Sequence, residues 1–170
     1  MSPVAGAAGG VVEFRPMKLL VKRLRPEAVL PRFAHPDDSG MDVCACEERV
    51  LLPGERAKIP LGLAFQPPPG TEIQLRPRSG LAIKHGISMV NTPATIDEGY
   101  RGEVCAILIN HGGEPFRVEV GMRVAQIVVC PVLRPEVVET DDLSGTARGA
   151  GGFGSTGTRD LPPGPAEGQP

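Results

Sequence analysis

Asn91-Thr92-Pro93-Ala94-Thr95-Ile96-Asp97-Glu98-Gly99-Tyr100-Arg101-Gly102-Glu103 is the stretch from which the fold of this chain is read. Its spacing predicts a β-hairpin. Thr95 and Ile96 are strand formers, Glu98-Gly99 supplies a turn with a position open to positive φ, and a second strand follows from residue 101 to 110. Two short strands around a turn can enclose a narrow slot lined by backbone N–H and C=O groups. Asp97 stands just before the turn, and Tyr100, the only tyrosine in the chain, just after it. An acid and an aromatic at the mouth of such a slot suit a flat ring and an activated water. Asp and Gly are also common at solvated turn tips, so the stretch alone leaves both readings open.

The same grammar of short apolar run and turn repeats outward in both directions. Strands are expected over residues 18–24, 41–46, 49–52, 56–59, 63–65, 72–75, 87–90, 104–110, 116–120 and 124–133. They are separated by turn chemistry such as Pro53-Gly54 and Pro67-Pro68-Pro69-Gly70. One helical turn is expected, over residues 78–85, with Ser79 as its N-cap and Gly86 as its stop. Ten or so short strands with almost no helix predict an all-β fold, a barrel or jelly-roll-like sandwich. Residues 1–16 read as a flexible leader, 17–143 as the β domain and 144–170 as a mobile Gly-rich and Pro-rich arm.

At 170 residues the chain is long enough to bury one core. With aromatics at 4% and no Trp, that core must be aliphatic. A net charge of −2 argues against coating nucleic acid or a membrane surface. No apolar run approaches the roughly 20 residues of a membrane span. The first residues carry neither a basic n-region nor a long apolar stretch, so a cytoplasmic setting is expected. Reduced, buried thiols are then expected for Cys44, Cys46, Cys105 and Cys130, because Cys44-x-Cys46 lacks zinc spacing and has no His nearby.

Four further segments carry polar groups that chemistry can use. Arg76-Pro77-Arg78-Ser79-Gly80-Leu81 gathers a cation, a hydroxyl and free helix-start amides, either an anion cradle or an ordinary capped helix. In Gly121-Met122-Arg123-Val124-Ala125-Gln126, alternation sets Gln126 beside Val124, where its amide needs a partner in the fold or in a ligand. Residues 149–154 fit G-x-G-x-x-G, but no strand precedes and no helix follows, and no Lys completes a phosphate loop. An Arg, a Phe and two hydroxyls among glycines fit better as a lid over residues 148–157. There Phe153 would cover a ring while Arg148, Ser155 and Thr156 hold phosphate. Asp37-Asp38-Ser39-Gly40-Met41-Asp42 fails as a calcium loop, because its Gly is misplaced and the final Glu is missing.

Taken in order, five of these segments resemble the motifs of the trimeric dUTPases. They are Ser39-Gly40-Met41-Asp42-Val43; Pro77-Arg78-Ser79-Gly80-Leu81-Ala82; Thr95 through Glu103; Gly121 through Gln126; and Arg148-Gly149 through Gly157. The resemblance implies a jelly-roll-like β barrel that forms a homotrimer with shared active sites. It implies hydrolysis of dUTP to dUMP and pyrophosphate with Mg2+. By resemblance Asp97 activates the attacking water, and Tyr100 packs on the deoxyribose. Asn91 and the backbone at Ile96 read uracil. Arg78, Ser79, Gly80 and Gln126 hold the phosphate chain, and Asp42 approaches magnesium through water. On the arm, Phe153 covers the uracil, Arg148 meets the γ-phosphate, and Gly154 and Ser155 line the closed lid. Two positions depart from the usual pattern: Met122 replaces an Asp, and Met41 replaces an aromatic or Leu. A dCTP deaminase, with or without diphosphatase activity, and a catalytically silent regulatory relative share the fold and are the alternative functions.

Overall fold

The computed structural model describes residues 17–153, so the expected leader 1–16, the tail 158–170, and Gly154 and Ser155 lie outside the described residues. Those described fall into two units, divided between Leu133 and Arg134.

The first unit carries ten strands and one helix. In chain order they are β1 (Leu20–Arg23), β2 (Met41–Cys44), β3 (Arg49–Leu51), β4 (Arg56–Gln66), β5 (Thr71–Arg76), α1 (Ser79–His85), β6 (Ile87–Met89), β7 (Ala94–Ile96), β8 (Val104–Asn110), β9 (Phe116–Val118) and β10 (Arg123–Pro131). Two four-stranded sheets, β1-β4-β8-β6 and β2-β10-β5-β7, share one apolar core, and β3-β9 forms a small third sheet. The all-β jelly-roll-like expectation therefore holds, although the hydrogen bonding runs in separate sheets and does not close a barrel. Every pairing is antiparallel, and among the described residues no strand pairs with the next one in the chain.

Alternation decides which side chains enter the core. In β5, Thr71, Ile73 and Leu75 are buried while Glu72, Gln74 and Arg76 are half-exposed; β8 buries Val104, Ala106, Leu108 and Asn110 in the same rhythm. The core is aliphatic, with Leu51, Ile59, Leu61, Leu63, Ile73, Leu75, Leu108 and Ile127 sealed from solvent beside one Phe65. Each such side chain contributes about 1.5–3 kcal/mol of transfer free energy. Of the two buried polar residues described, Thr71 and Asn110, Asn110 is fully enclosed. Its Nδ2 donates to the carbonyls of Leu51 and Glu114 at 2.9 and 2.8 Å, and its Oδ1 accepts from Gly112 N at 2.8 Å, which satisfies a buried amide.

Three sequence expectations are corrected here. Residues 91–103 are not a hydrogen-bonded hairpin: β7 pairs with β5 and β8 with β4 and β6, so the turn crosses from one sheet to the other. Residues 56–59 and 63–65 are one strand, β4, running through a bulge between Pro60 and Leu63. Gly62 takes that bulge at φ 67°. A side chain there would meet Cys46 Sγ and Ala28 Cβ, so both conformation and space require glycine. Finally, Ser79 does not cap α1. Arg78 is the N-cap, extended at φ −99° and ψ 127°, and its carbonyl receives the N–H groups of Leu81 and Ala82. The first turn thus closes one residue earlier than expected, with Ser79 as its first helical residue. Gly86 ends the helix in the left-handed conformation, as expected.

Candidate active site

The sequence-predicted residues of the first unit gather in two places. The first is built on β10, the strand between β2 and β5. Gln126 lies opposite Asp42 on one side and Arg76 on the other. A bulge between Arg123 and Ala125 breaks the alternation of β10, so Val124 and Ala125 are both buried and Gln126 stays half-exposed. Its Nε2 donates to Pro77 O at 3.0 Å, just ahead of Arg78. Gly40 lets the chain before β2 approach closely, since a Cβ there would overlap Gln126 Oε1.

Asp42 is the centre of this group. Arg78 Nε stands 2.9 Å from its Oδ1 and Arg123 Nη1 2.8 Å from its Oδ2, with the carboxylate side chain only 18% exposed. Arg78 also donates through Nη1 to Arg123 O at 3.0 Å. Arg32, whose carbonyl receives Asp42 N at 3.2 Å, joins Phe33, Asp42 and Arg123 in lining a cavity of about 310 Å³. Two guanidiniums on one carboxylate, with Arg32 lining the same cavity, leave an excess of positive charge. Ser79 and Gly80 lie exposed at the start of α1, where helix geometry gives their N–H groups no partner within the helix. No atom comes within 4 Å of where a Cβ on Gly80 would stand. Sequence reasoning picked out Arg78, Asp42 and Gln126 but missed Arg123 and Arg32. Arg123 lies inside a recognised motif, yet the bulge that brings it to Asp42 leaves no mark in the alternation.

The second place is the crossing between sheets. Asn91, Thr95, Ile96 and Tyr100 line a slot of about 250 Å³, closed by Lys58, Glu103 and Cys105 and floored by Leu75 and Ile107. Tyr100 N donates to Asp97 O at 3.0 Å and fixes the turn. Arg101 Nη1 braces it by donating to the carbonyls of Glu98 and Tyr100 at 2.6 and 2.9 Å. Tyr100 Oη donates to Glu103 O at 3.1 Å. Asp97 is exposed, and its carboxylate has no hydrogen-bond or ion-pair partner among the described residues. A carboxylate so placed is free to receive a water. A larger cavity, about 360 Å³, lies on β1 and β4 against Leu20, Val21 and Phe65, but it carries no acid and only Arg101 from the predicted motifs. Size is therefore a poorer guide here than chemistry.

The two places do not meet within one chain. Asp42 is level with Arg76 on β5, whereas Asp97 follows Ile96, which is level with Ile73, and the two sit on opposite edge strands of the sheet β2-β10-β5-β7. Strand spacing and rise put them about 20 Å apart.

Arg148 and Phe153 belong to the second unit, described by itself. Arg148 Nε donates to Gly151 O at 2.7 Å, and Gly149 N donates to Thr146 Oγ1 at 3.1 Å, which makes a tight turn of the Gly-rich segment. Phe153 is fully exposed, at a φ of 49°. An exposed aromatic held in the left-handed region buries nothing within its own unit.

Burial holds the thiols of Cys44, Cys46 and Cys105 above their ordinary pKa, and all four cysteines are unpaired. Among the described residues, no three of His, Cys, Asp and Glu stand close enough together to hold a metal. No helix among them is long and apolar enough to cross a membrane.

A double-sheet β protein with an aromatic and backbone-lined slot, an exposed acid and an arginine-rich anion cluster has the parts of a nucleotide-handling enzyme. The family model described as dUTPase matches residues 26–157, and the chain belongs to that family. Deoxyuridine 5'-triphosphate nucleotidohydrolase of Gloeothece citriformis is 57% identical over 141 residues, 83% of this chain and 97% of the relative. The enzyme of the same name from Clostridium acetobutylicum is 52% identical over 143 residues, 84% of this chain and 99% of the relative. Among solved structures, a glycine-to-serine mutant of the Staphylococcus bacteriophage 80alpha dUTPase with dUpNHpp superposes with a TM-score of 0.77 at 28% identity. That match covers 82% of this chain and 98% of the other. An aspartate-to-asparagine mutant dUTPase from phage phi11 of S. aureus, described as coordinating a structural Mg(II) ion, shares the fold. It matches with a TM-score of 0.70 at 24% identity over 75% of this chain and 99% of the other.

Proposed function

We propose that the chain hydrolyses dUTP to dUMP and pyrophosphate in sites assembled between copies of itself in a homotrimer. The observation that carries the reading is the separation of the acid-and-aromatic slot from the arginine cluster within one chain. One nucleotide must meet both, and a second copy supplies whichever half the first cannot. In this reading the uracil enters the slot edge-on to Asn91 and the backbone at Ile96. Tyr100 packs on the deoxyribose where a 2′-hydroxyl would stand. The triphosphate lies against Arg78, the Ser79 and Gly80 amides and Gln126.

Asp97 holds a water in line with the α-phosphorus and takes its proton as the P–O bond forms and pyrophosphate leaves. Positioning and charge neutralisation supply the larger part of the barrier lowering, and Arg78 and the helix-start amides are the groups aimed at the developing charge. The arm contributes Arg148 to the phosphates and Phe153 to the ring. The donor set fits magnesium in one way only. With both Asp42 oxygens on guanidiniums and no group of three ligating side chains among the described residues, the ion would be held by phosphate oxygens and by waters ordered on Asp42. Bound there, magnesium supplies charge neutralisation along the phosphate chain.

The test is pyrophosphate release from dUTP, UTP, dTTP and dCTP, with and without magnesium, for wild type and Asp97→Asn. The expected result is release from dUTP far above the others. The variant should bind nucleotide with unchanged affinity and lose about 10²–10⁴-fold in turnover. Ammonia from dCTP would establish the deaminase instead. Binding of dUTP with no pyrophosphate would establish a silent relative.

A further inference from the structure

We infer that Arg25 and Glu103 form a positioning clamp that fixes the phenol of Tyr100 and so sets the sugar selectivity of the slot. The inference rests on the reading of the slot given above. Tyr100 is 45% exposed, and packing alone does not lock it. Its hydroxyl donates to one group, the backbone carbonyl of Glu103. Its ring lies over Gly102, where a Cβ would overlap the phenol oxygen. Where the ring stands therefore follows from where the Glu103 carbonyl stands.

That carbonyl belongs to a residue held by its own side chain. Arg25 meets the Glu103 carboxylate in a two-point contact, Nε to Oε1 at 2.8 Å and Nη2 to Oε2 at 3.0 Å. Gly62 N donates to Oε1 at 3.1 Å. The far ends of these contacts are themselves fixed. Leu24 N donates to Gly62 O at 2.8 Å, Ala28 N to Arg25 O at 3.2 Å, and Ala28 is buried in the core. The β4 bulge and the loop after β1 thus converge on the residue that carries the Tyr100 acceptor. Glu47 also reaches Arg25, at 3.4 Å and exposed, as a looser second partner.

An ion pair with side chains 38% and 26% exposed contributes little to global stability. A two-point guanidinium–carboxylate contact is nevertheless directional, and small misplacements of a substrate-facing group are expensive in rate. The value of the clamp lies in orientation. Arg25 lies outside the slot, and the Glu103 carboxylate, although Glu103 lines the slot, is taken up by Arg25 and Gly62 N, so both act as positioning residues through Tyr100.

The experiment compares kcat/KM for dUTP and UTP in wild type, Glu103→Gln, Arg25→Ala, the double variant, and Tyr100→Phe with and without Glu103→Gln. Melting temperatures are recorded for each. Glu103→Gln keeps an acceptor for Gly62 N while removing the charge. Each single clamp variant is expected to lower the dUTP-to-UTP ratio about tenfold, and for Arg25→Ala, a change outside the slot, kcat for dUTP should stay within about twofold of wild type. The double variant should go no further than either single one, because the two residues act as one unit. In Tyr100→Phe, which lacks the held hydroxyl, adding Glu103→Gln should change the ratio no more. A lowered melting temperature with an unchanged ratio would overturn the inference, as would an additive loss on top of Tyr100→Phe. A wild type that releases no pyrophosphate from dUTP removes the reading of the slot and the clamp with it. A wild type that does, with variants that keep its ratio, removes the clamp alone.

Discussion

At the scale of single residues, the chemistry of this chain is set by which polar groups keep partners and which do not. Asp42 was singled out only through the family resemblance, and its pairing with Arg123 was not legible, because that arginine arrives through the β10 bulge. Asp97 was legible in position, and its lack of a partner emerges only in three dimensions. Cys44 and Cys46 were legible as buried apolar groups, whereas Cys105 and Cys130, expected to be buried too, are only half-buried. Burial raises the pKa of Cys44, Cys46 and Cys105, helped by Asp42 at Cys44 and by Glu103 at Cys46 and Cys105. The folded chain therefore keeps these protons at a pH where the unfolded chain, at the ordinary value of 9.0, loses them. Their contribution to stability is complete below the unfolded value and is lost as the pH rises through the folded ones. Denaturant midpoints at fixed protein concentration should fall above about pH 9 more steeply for wild type than for Cys46→Ala. Parallel curves would contradict this account.

At the scale of elements, alternation was informative about faces and silent about partners. The period of two in β5 and β8 correctly names their buried residues, since a strand face is a local property. Pairing is not local here: each strand skips its neighbour in sequence, and so residues 91–103 looked like a hairpin while spanning two sheets. The bulge of β4 is a second case, where residues 60–62 were expected to separate two strands yet lie within one. The role of Gly62 can be separated from simple flexibility by comparison with Gly54. Both glycines have positive φ, 67° and 78°, but a Cβ on Gly54 meets nothing within 4 Å, whereas one on Gly62 meets Cys46 and Ala28. Gly54→Ala should therefore cost about 1 kcal/mol, the backbone term alone, and Gly62→Ala at least about twice that. Chemical denaturation of the two variants measures the difference. Equal losses would mean that the bulge relaxes freely around a side chain.

At the scale of the whole molecule, the sequence listed the candidate residues in order but could not show that one chain separates them. The all-β double-sheet frame puts Asp97 just past edge strand β7 and Asp42 on the opposite edge strand β2 of one sheet, about 20 Å apart by strand spacing and rise, with Gln126 carried by β10 and Arg78 just past β5, the strands between. The proposed sharing of sites between copies has a consequence that no single-chain site can reproduce. Asp97→Asn and Arg78→Gln should each lower turnover by about a hundredfold or more alone. Co-expressed in equal amounts with different tags and purified through both, the two variants form mixed assemblies. In these, some sites draw an intact Asp97 from one copy and an intact Arg78 from another. In a cyclic trimer every doubly tagged assembly, two copies of one variant and one of the other, has one site of three with both halves intact, so about a third of wild-type turnover per site should return. Were both halves of a site taken from the same chain, every site would carry one lesion and no turnover would return, however the copies were mixed.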